Sequence, residues 1–219
     1  MEETKNIEKI AEENSNLARI EKESASDLKV LAKQVLKRAK AREMLAKREI
    51  ELAQIREKLA EKSKKLVEKK EKVKDLLKLN ENNVKIEKAQ AIYNEKVAEL
   101  QTKIAEIHRK IANVETEISE VKVKLAYKKL DEAKERGNLA KKQLNYVKLV
   151  NTNALSEKIT KAEETYLKVQ KDLTKFETDA IQINKSIIEK QNKLADLKKN
   201  LSEKLAEREK IRPVESTLT

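Results

Sequence analysis

Turns are usually made with glycine and proline, and this chain of 219 residues has one of each, Gly137 and Pro213. An ordinary globular domain of this length carries about 15 Gly and about 10 Pro. A chain with so few turn residues cannot be divided into many short elements, so a sheet of hairpins is excluded and helix is the default. Charged residues make up 41% of the chain, and disorder is the competing reading of such a composition. It fails because hydrophobic residues still make up 38% and are regularly spaced. With aromatics at 2%, a compact globular core is not expected. Leu, Ile, Val and Ala alone can fill thin helical seams.

Three seams can be counted. In the first, Leu45, Leu52, Leu59, Leu66 and Val73 recur every seven residues, alternating with Ala41, Arg48, Ile55, Lys62, Lys69 and Leu76. Half of that second column is basic. The second seam runs Val97, Leu100, Ile104, Ile107, Ile111, Val114, Ile118, Val121 and Leu125 with unbroken 3-4 spacing. The third runs Leu155, Ile159, Ala162, Tyr166, Val169, Leu173, Phe176, Ala180, Ile183 and Ile187, then continues to Leu201. A sustained seven-residue repeat implies left-handed supercoiling. Beyond Leu125 the rhythm slips to Leu130, Ala133, Gly137, Ala140, Leu144 and Val147, which predicts a local change of supercoil. Gly137 marks either a bend, a break, a tight crossing or a tolerated surface position.

Breaks are few. The asparagines in Leu79–Asn83 place a turn near 80–83, and Asn151–Asn153 a second near 151–153. Ser24–Asp27 either caps a helix starting at Leu28 or lies inside a longer one, since Ile7, Ile10 and Leu17 stay in phase with Leu28 and Leu31. Pro213 ends the last helix. The expected organisation is an acidic helical segment over 1–27, a long-helix bundle over 28–212 and a disordered tail over 213–219. Its helices are expected near 28–79, 84–150 and 154–212. Short connections make neighbours antiparallel, with Leu59 beside Ile104 and Leu125 beside Phe176. The expected fold is therefore all-α, an elongated antiparallel coiled-coil bundle of about three long helices.

The net charge of +12 is unevenly spread. Residues 1–27 hold 4 basic and 8 acidic side chains, and residues 28–79 hold 18 and 8. Lys62, Lys64, Lys65, Lys69, Lys70, Lys72 and Lys74 form a basic run that is the candidate face for an anionic partner. A lysine in a buried seam is costly unless its head reaches water, so Lys62 and Lys69 predict a half-covered first helix on the outside of the bundle. Helix-seam or oligomer contacts are expected from Leu52, Leu59, Leu66, Ile104, Ile107, Ile111, Ile118, Leu173, Phe176, Ile183 and Ile187.

Reaction chemistry has little to build on. Cysteine is absent, and the single histidine, His108, has no second His or Cys to share a metal. One glycine cannot make a phosphate-binding loop. No enzyme and no cofactor are expected. Stacking aromatics and recognised motifs for nucleic acid are missing. No apolar run approaches the ~20 residues of a membrane span, and Met1–Asn6 has no signal-peptide character. The expected setting is cytoplasmic, with peripheral membrane association as an option.

The leading functional expectation is a structural scaffold or spacer that self-associates. The alternatives are a membrane-binding or membrane-remodelling module with a basic helix face, docking on anionic lipid or acidic protein, and a stalk or adaptor in a larger complex. The plan resembles BAR domains in length and helix count. In size it is similar to the family of phage-shock protein A and ESCRT-III, whose alanine-rich hairpin segment Leu130–Ala140 looks like. That likeness covers eleven of 219 residues, and the apolar N-terminal helix expected there is not matched by the acidic residues 1–23.

Overall fold

The structure, a computed structural model, describes residues 2–73 and 79–211, with only the backbone of Glu3. It is an all-α bundle of three long helices: α1, Glu2–Lys72; α2, Glu81–Asn151; and α3, Ser156–Glu209. α2 contacts both of the others, and no strand occurs among the described residues. The expected Leu76, Lys74 and tail 213–219 lie outside them.

Each boundary has a local cause. Asn80 caps α2: its Oδ1 accepts hydrogen bonds from the backbone N–H of Asn82 at 2.9 Å and of Asn83 at 3.3 Å. At the other end, Asn153 takes the left-handed conformation (φ 48°). The Ala154 N–H then reaches the Leu149 carbonyl and the Asn153 N–H reaches that of Val150, each at 3.0 Å. This double bond closes the helix C-terminus with Asn in the position more often held by Gly. Leu155, expected in the third seam, precedes α3 and is exposed. Its carbonyl accepts from Lys158 and Ile159 and so opens α3. No cap forms at Ser24–Asp27. α1 runs straight through because Ala18, Ala25 and Ala32 keep its buried face continuous there.

The chain divides into two compact units, one of residues 1–37 and 117–190 and the other of 38–116 and 191–219. In the second unit the α1–α2 register is written in cross-helix pairs. Glu71 bonds Lys88 at 2.8 Å, Lys64 bonds Glu95 at 2.7 Å, and Thr102 donates to Glu57 at 2.7 Å. Each step of seven down α1 matches a step of seven up α2, so the helices are antiparallel. The residues buried between them are mostly small: Ala39, Ala46, Ala53, Ala60 and Val67 on α1, and Val84, Ala91, Ala98, Ala105 and Ala112 on α2. Ala53, Ala105 and Ile50 form one cluster.

Of the two roles expected for the first-seam leucines, helix seam or oligomer contact, burial between α1 and α2 falls to the alanines instead. Leu52, Leu59 and Leu66 are exposed rather than buried against α2, Leu52 lying at the edge of the contact in a groove with Gln101, Ile104 and Ala105, and the register set by Lys64–Glu95 and Glu57–Thr102 places Leu59 about one turn from Ile104. Most heptads of α1 offer an adjacent large aliphatic and small residue, and the small one is buried. Alanine against alanine lets two helix backbones approach closely, within the range set by the side chains at the crossing. The other face of α2 buries Leu100, Ile104, Ile107 and Val114, with Ile111 half-buried. The α3 residues of this unit contribute half-buried Leu194, Leu197 and Leu201.

The first unit repeats the pattern. Ala11, Ala18, Ala25 and Ala32 are buried on α1, and Ala126, Ala133, Ala140 and Val147 on α2. Asn14 bonds Gln143 at 3.1 Å, and seven residues along, Glu21 bonds Arg136 at 2.9 Å. Between α2 and α3, Leu139 packs with Val169, Leu173 and Tyr166, and the rings of Tyr146 and Tyr166 lie 5.2 Å apart. Ile118 and Ile187 are buried, and Phe176 and Ile183 are half-buried. Leu125 is not beside Phe176. It shares a groove with Ile187, while the Lys128 ammonium sits 5.4 Å from the Phe176 ring centre.

The expected slip after Leu125 is absent. The stripe facing α3 continues in phase through Lys128, which bonds Asp179 at 2.7 Å, and Glu132 to Leu139 and Tyr146. Charged residues replace aliphatic ones in it, which hides the period. Ala133, Gly137 and Ala140 belong to the other face, against α1: a Cβ on Gly137 would meet the Ala18 Cβ at 3.5 Å.

Candidate self-association surface

Most of the exposed large apolar side chains among the described residues lie on α1, with Leu167, Ile181 and Ile188 exposed on α3. One residue before most of the buried small apolar residues of α1 stands a large aliphatic one, Ile10, Leu17, Leu31, Leu45, Leu52, Leu59 and Leu66, the exceptions being Ser24 before Ala25 and Arg38 before Ala39. One residue is about 100° around a helix, so this column lies to the side of the α2 seam. Leu45, Leu52, Leu59 and Leu66 are 55–60% exposed. Ile20 and Ile55, three residues after members of the column, are exposed to a similar degree and widen it into a coiled-coil stripe.

Magnitudes say which column matters more for association. Burying an alanine methyl is worth about 0.8 kcal/mol, and fully burying a leucine about 1.5–3 kcal/mol. α1 therefore spends its small column within the chain and leaves the larger one at the surface. Scattered exposed leucines are ordinary, but a heptad-spaced run of them is not.

The basic run beside this stripe splits in two. Lys64 is tied to Glu95 at 2.7 Å, a hydrogen bond that raises its pKa against the opposing effect of desolvation. Lys70 pairs with Glu87 at 2.9 Å, and Lys65 with Glu61 of its own helix. The Lys65 bond raises the lysine pKa and lowers that of Glu61. Lys62, Lys69 and Lys72 are exposed and have no ion-pair partner among the described residues. Lys74 lies outside the described residues. The seven expected lysines thus do not make one free face.

In the first unit an open groove of about 360 Å³ adjoins the stripe. It is lined mainly by apolar side chains, among them Leu28, Leu31, Val35, Leu125 and Ile187. Nearby, Lys29 and Lys33 lie 4.5 and 5.6 Å from the centre of the Tyr127 ring. The hydrogen bond from Lys33 leads the causes that lower the Tyr127 pKa.

One charged cluster joins all three helices. Arg136 contacts Glu21 of α1 at 2.9 Å, Glu132 of α2 at 3.4 Å and Glu177 of α3 at 3.1 Å. Three carboxylates share one guanidinium. Desolvation, reinforced by the Glu21 charge, raises the Glu132 pKa. This cluster is structural glue at a helix crossing, and nothing in the sequence periodicity marks it. His108 is half-exposed, its Nδ1 3.3 Å from Glu49, on which it can donate a hydrogen bond. No group of metal-ligating side chains occurs among the described residues, and no described helix is long and apolar enough to cross a membrane.

No family model, curated protein or solved structure matches this chain.

Proposed function

We propose that this chain is a structural coiled-coil module that joins copies of itself through the outer stripe of α1, acting as a scaffold or spacer. The observation that carries the reading is the heptad run of exposed leucines at Leu45, Leu52, Leu59 and Leu66. A helix that already has one partner needs no second leucine column for its own fold. Sedimentation equilibrium over a range of concentrations tests this. The expected mass exceeds the 25.2 kDa of one chain and rises with concentration. Leu52→Gln, Leu59→Gln and Leu66→Gln together should return it to one chain with helix content unchanged. A wild-type mass of one chain throughout would overturn the reading.

A second reading is favoured by Lys62, Lys69 and Lys72, which lie near the leucine column, exposed and without an ion-pair partner among the described residues. An apolar stripe flanked by lysine suits the surface of an anionic bilayer. Flotation with anionic and with neutral vesicles separates this from self-association. Equal recovery with both, or none with either, removes the lipid reading.

A further inference from the structure

The stripe on α1 is not uniform in charge. The column three residues after positions 10, 17, 24, 31, 38, 45, 52, 59 and 66, which are aliphatic except at Ser24 and Arg38, reads from N- to C-terminus Glu13, Ile20, Asp27, Gln34, Ala41, Arg48, Ile55, Lys62 and Lys69. Acid occupies its first part and base its last. Every one of these positions is exposed. Glu13, Asp27, Arg48, Lys62 and Lys69 have no ion-pair partner among the described residues, so their charges are not used by the fold. The Glu13–Asp27 portion belongs to the first unit, and Arg48–Lys69 to the second.

Charged residues beside an apolar seam choose the partner and its orientation. If like portions met, Lys62 and Lys69 of one copy would face the same lysines of another, and Glu13 and Asp27 would face carboxylates. Like charges placed together across an interface cost affinity even where the apolar contact is good. If unlike portions met, each free acid would face a free base, and Leu17 and Ile20, the aliphatic stripe residues between Glu13 and Asp27, would meet the heptad-spaced aliphatic residues of the basic portion.

We infer that the acidic portion of the α1 stripe, Glu13 to Asp27, docks on the basic portion, Arg48 to Lys69, of a second copy of this chain. This rests on the proposed self-association and adds which surfaces meet. The leucines supply the attraction, and the charge partition sets the pairing.

Three variants of the full chain test it by sedimentation, with circular dichroism as the check on folding. Lys62→Glu with Lys69→Glu, and separately Glu13→Lys with Asp27→Lys, should each weaken association by about tenfold or more. The four substitutions combined restore opposite charges and should recover wild-type association. All four positions are exposed, so helix content should not change; Lys62→Gln with Lys69→Gln and Glu13→Gln with Asp27→Asn repeat the test without adding charge. A monomeric wild type overturns the self-association itself. A wild type that associates while both reversed variants match it leaves self-association standing and overturns the pairing. So does a combined variant that fails to recover. Loss of binding to anionic vesicles in the lysine variant, with association intact, assigns the charges to a lipid surface and also overturns the pairing.

Discussion

Ala53→Leu and Leu52→Ala exchange the size of two adjacent residues, and the structure predicts opposite consequences. Ala53 is buried in a cluster with Ile50 and Ala105, where the two backbones approach over small side chains. A leucine there adds three carbons to a filled seam, and overpacking of this kind costs about 1–3 kcal/mol. Leu52 is 55% exposed. Only about half of a leucine's burial is then at stake, ~1 kcal/mol, and the higher helix propensity of alanine offsets part of that. In a chain of this length 1 kcal/mol moves Tm by about 2–4 °C. Ala53→Leu should therefore lower Tm by roughly 2–12 °C, and Leu52→Ala by no more than about 4 °C. The assay is thermal unfolding followed by circular dichroism, in protein dilute enough to hold one chain per particle. Raising the concentration should widen the gap between wild type and Leu52→Ala, because the wild type gains an interface that the variant lacks. If Leu52→Ala were the more damaging change in dilute protein, α2 would be packing against the leucine column and the register would be wrong.

Gly137→Ala should stabilise the chain by up to ~1 kcal/mol, because the new Cβ makes an ordinary 3.5 Å contact with Ala18 while alanine favours helix; a fall in the urea midpoint would contradict this. Glu132→Gln should stabilise at neutral pH. Desolvation and the Glu21 charge hold the folded-state pKa of Glu132 above its ordinary 4.5, so its stabilising effect is full below that value and is lost as pH rises through the folded-state value. Glutamine removes that loss, so urea midpoints of wild type and variant should converge in acid and separate at pH 7; equal separation at both would refute it. Asn153→Val should cost about 1–2 kcal/mol, since a β-branched residue resists the left-handed conformation that closes α2; an unchanged Tm would show that the turn does not depend on it.

The sequence revealed α2 and α3 more fully than α1, for a reason of residue size. Ile104, Ile107, Ile111 and Ile118 have one packing solution, so counting their spacing finds the face they bury. On α1 the large Leu52, Leu59 and Leu66 drew the seam to themselves, while the column that meets α2 is Ala46, Ala53 and Ala60. Alanine carries little hydrophobic signal, yet its strict seven-residue recurrence on both α1 and α2 was there to be counted. The misplaced Leu125–Phe176 contact has another cause. A turn position alone does not determine register, which packing of Leu139 with Val169 and Leu173 fixes instead. The Arg136 cluster could not be read at all, because arginine and glutamate are common all along the chain and only the fold brings Glu21 and Glu177 to one guanidinium. The asparagine caps were legible because the backbone chemistry is local.

α1 turns its alanines toward α2 and leaves its leucines at the surface. Cysteine is absent from the chain, so one introduced thiol reports one position. The most direct measurement compares maleimide labelling rates of Leu59→Cys and Ala60→Cys, at positions 60% and 8% exposed. In dilute protein the residue 59 thiol should react many times faster, and raising the protein concentration should slow it while the residue 60 thiol stays slow. A residue 60 thiol that reacts as fast as residue 59, or a residue 59 thiol protected even at high dilution, would contradict the account.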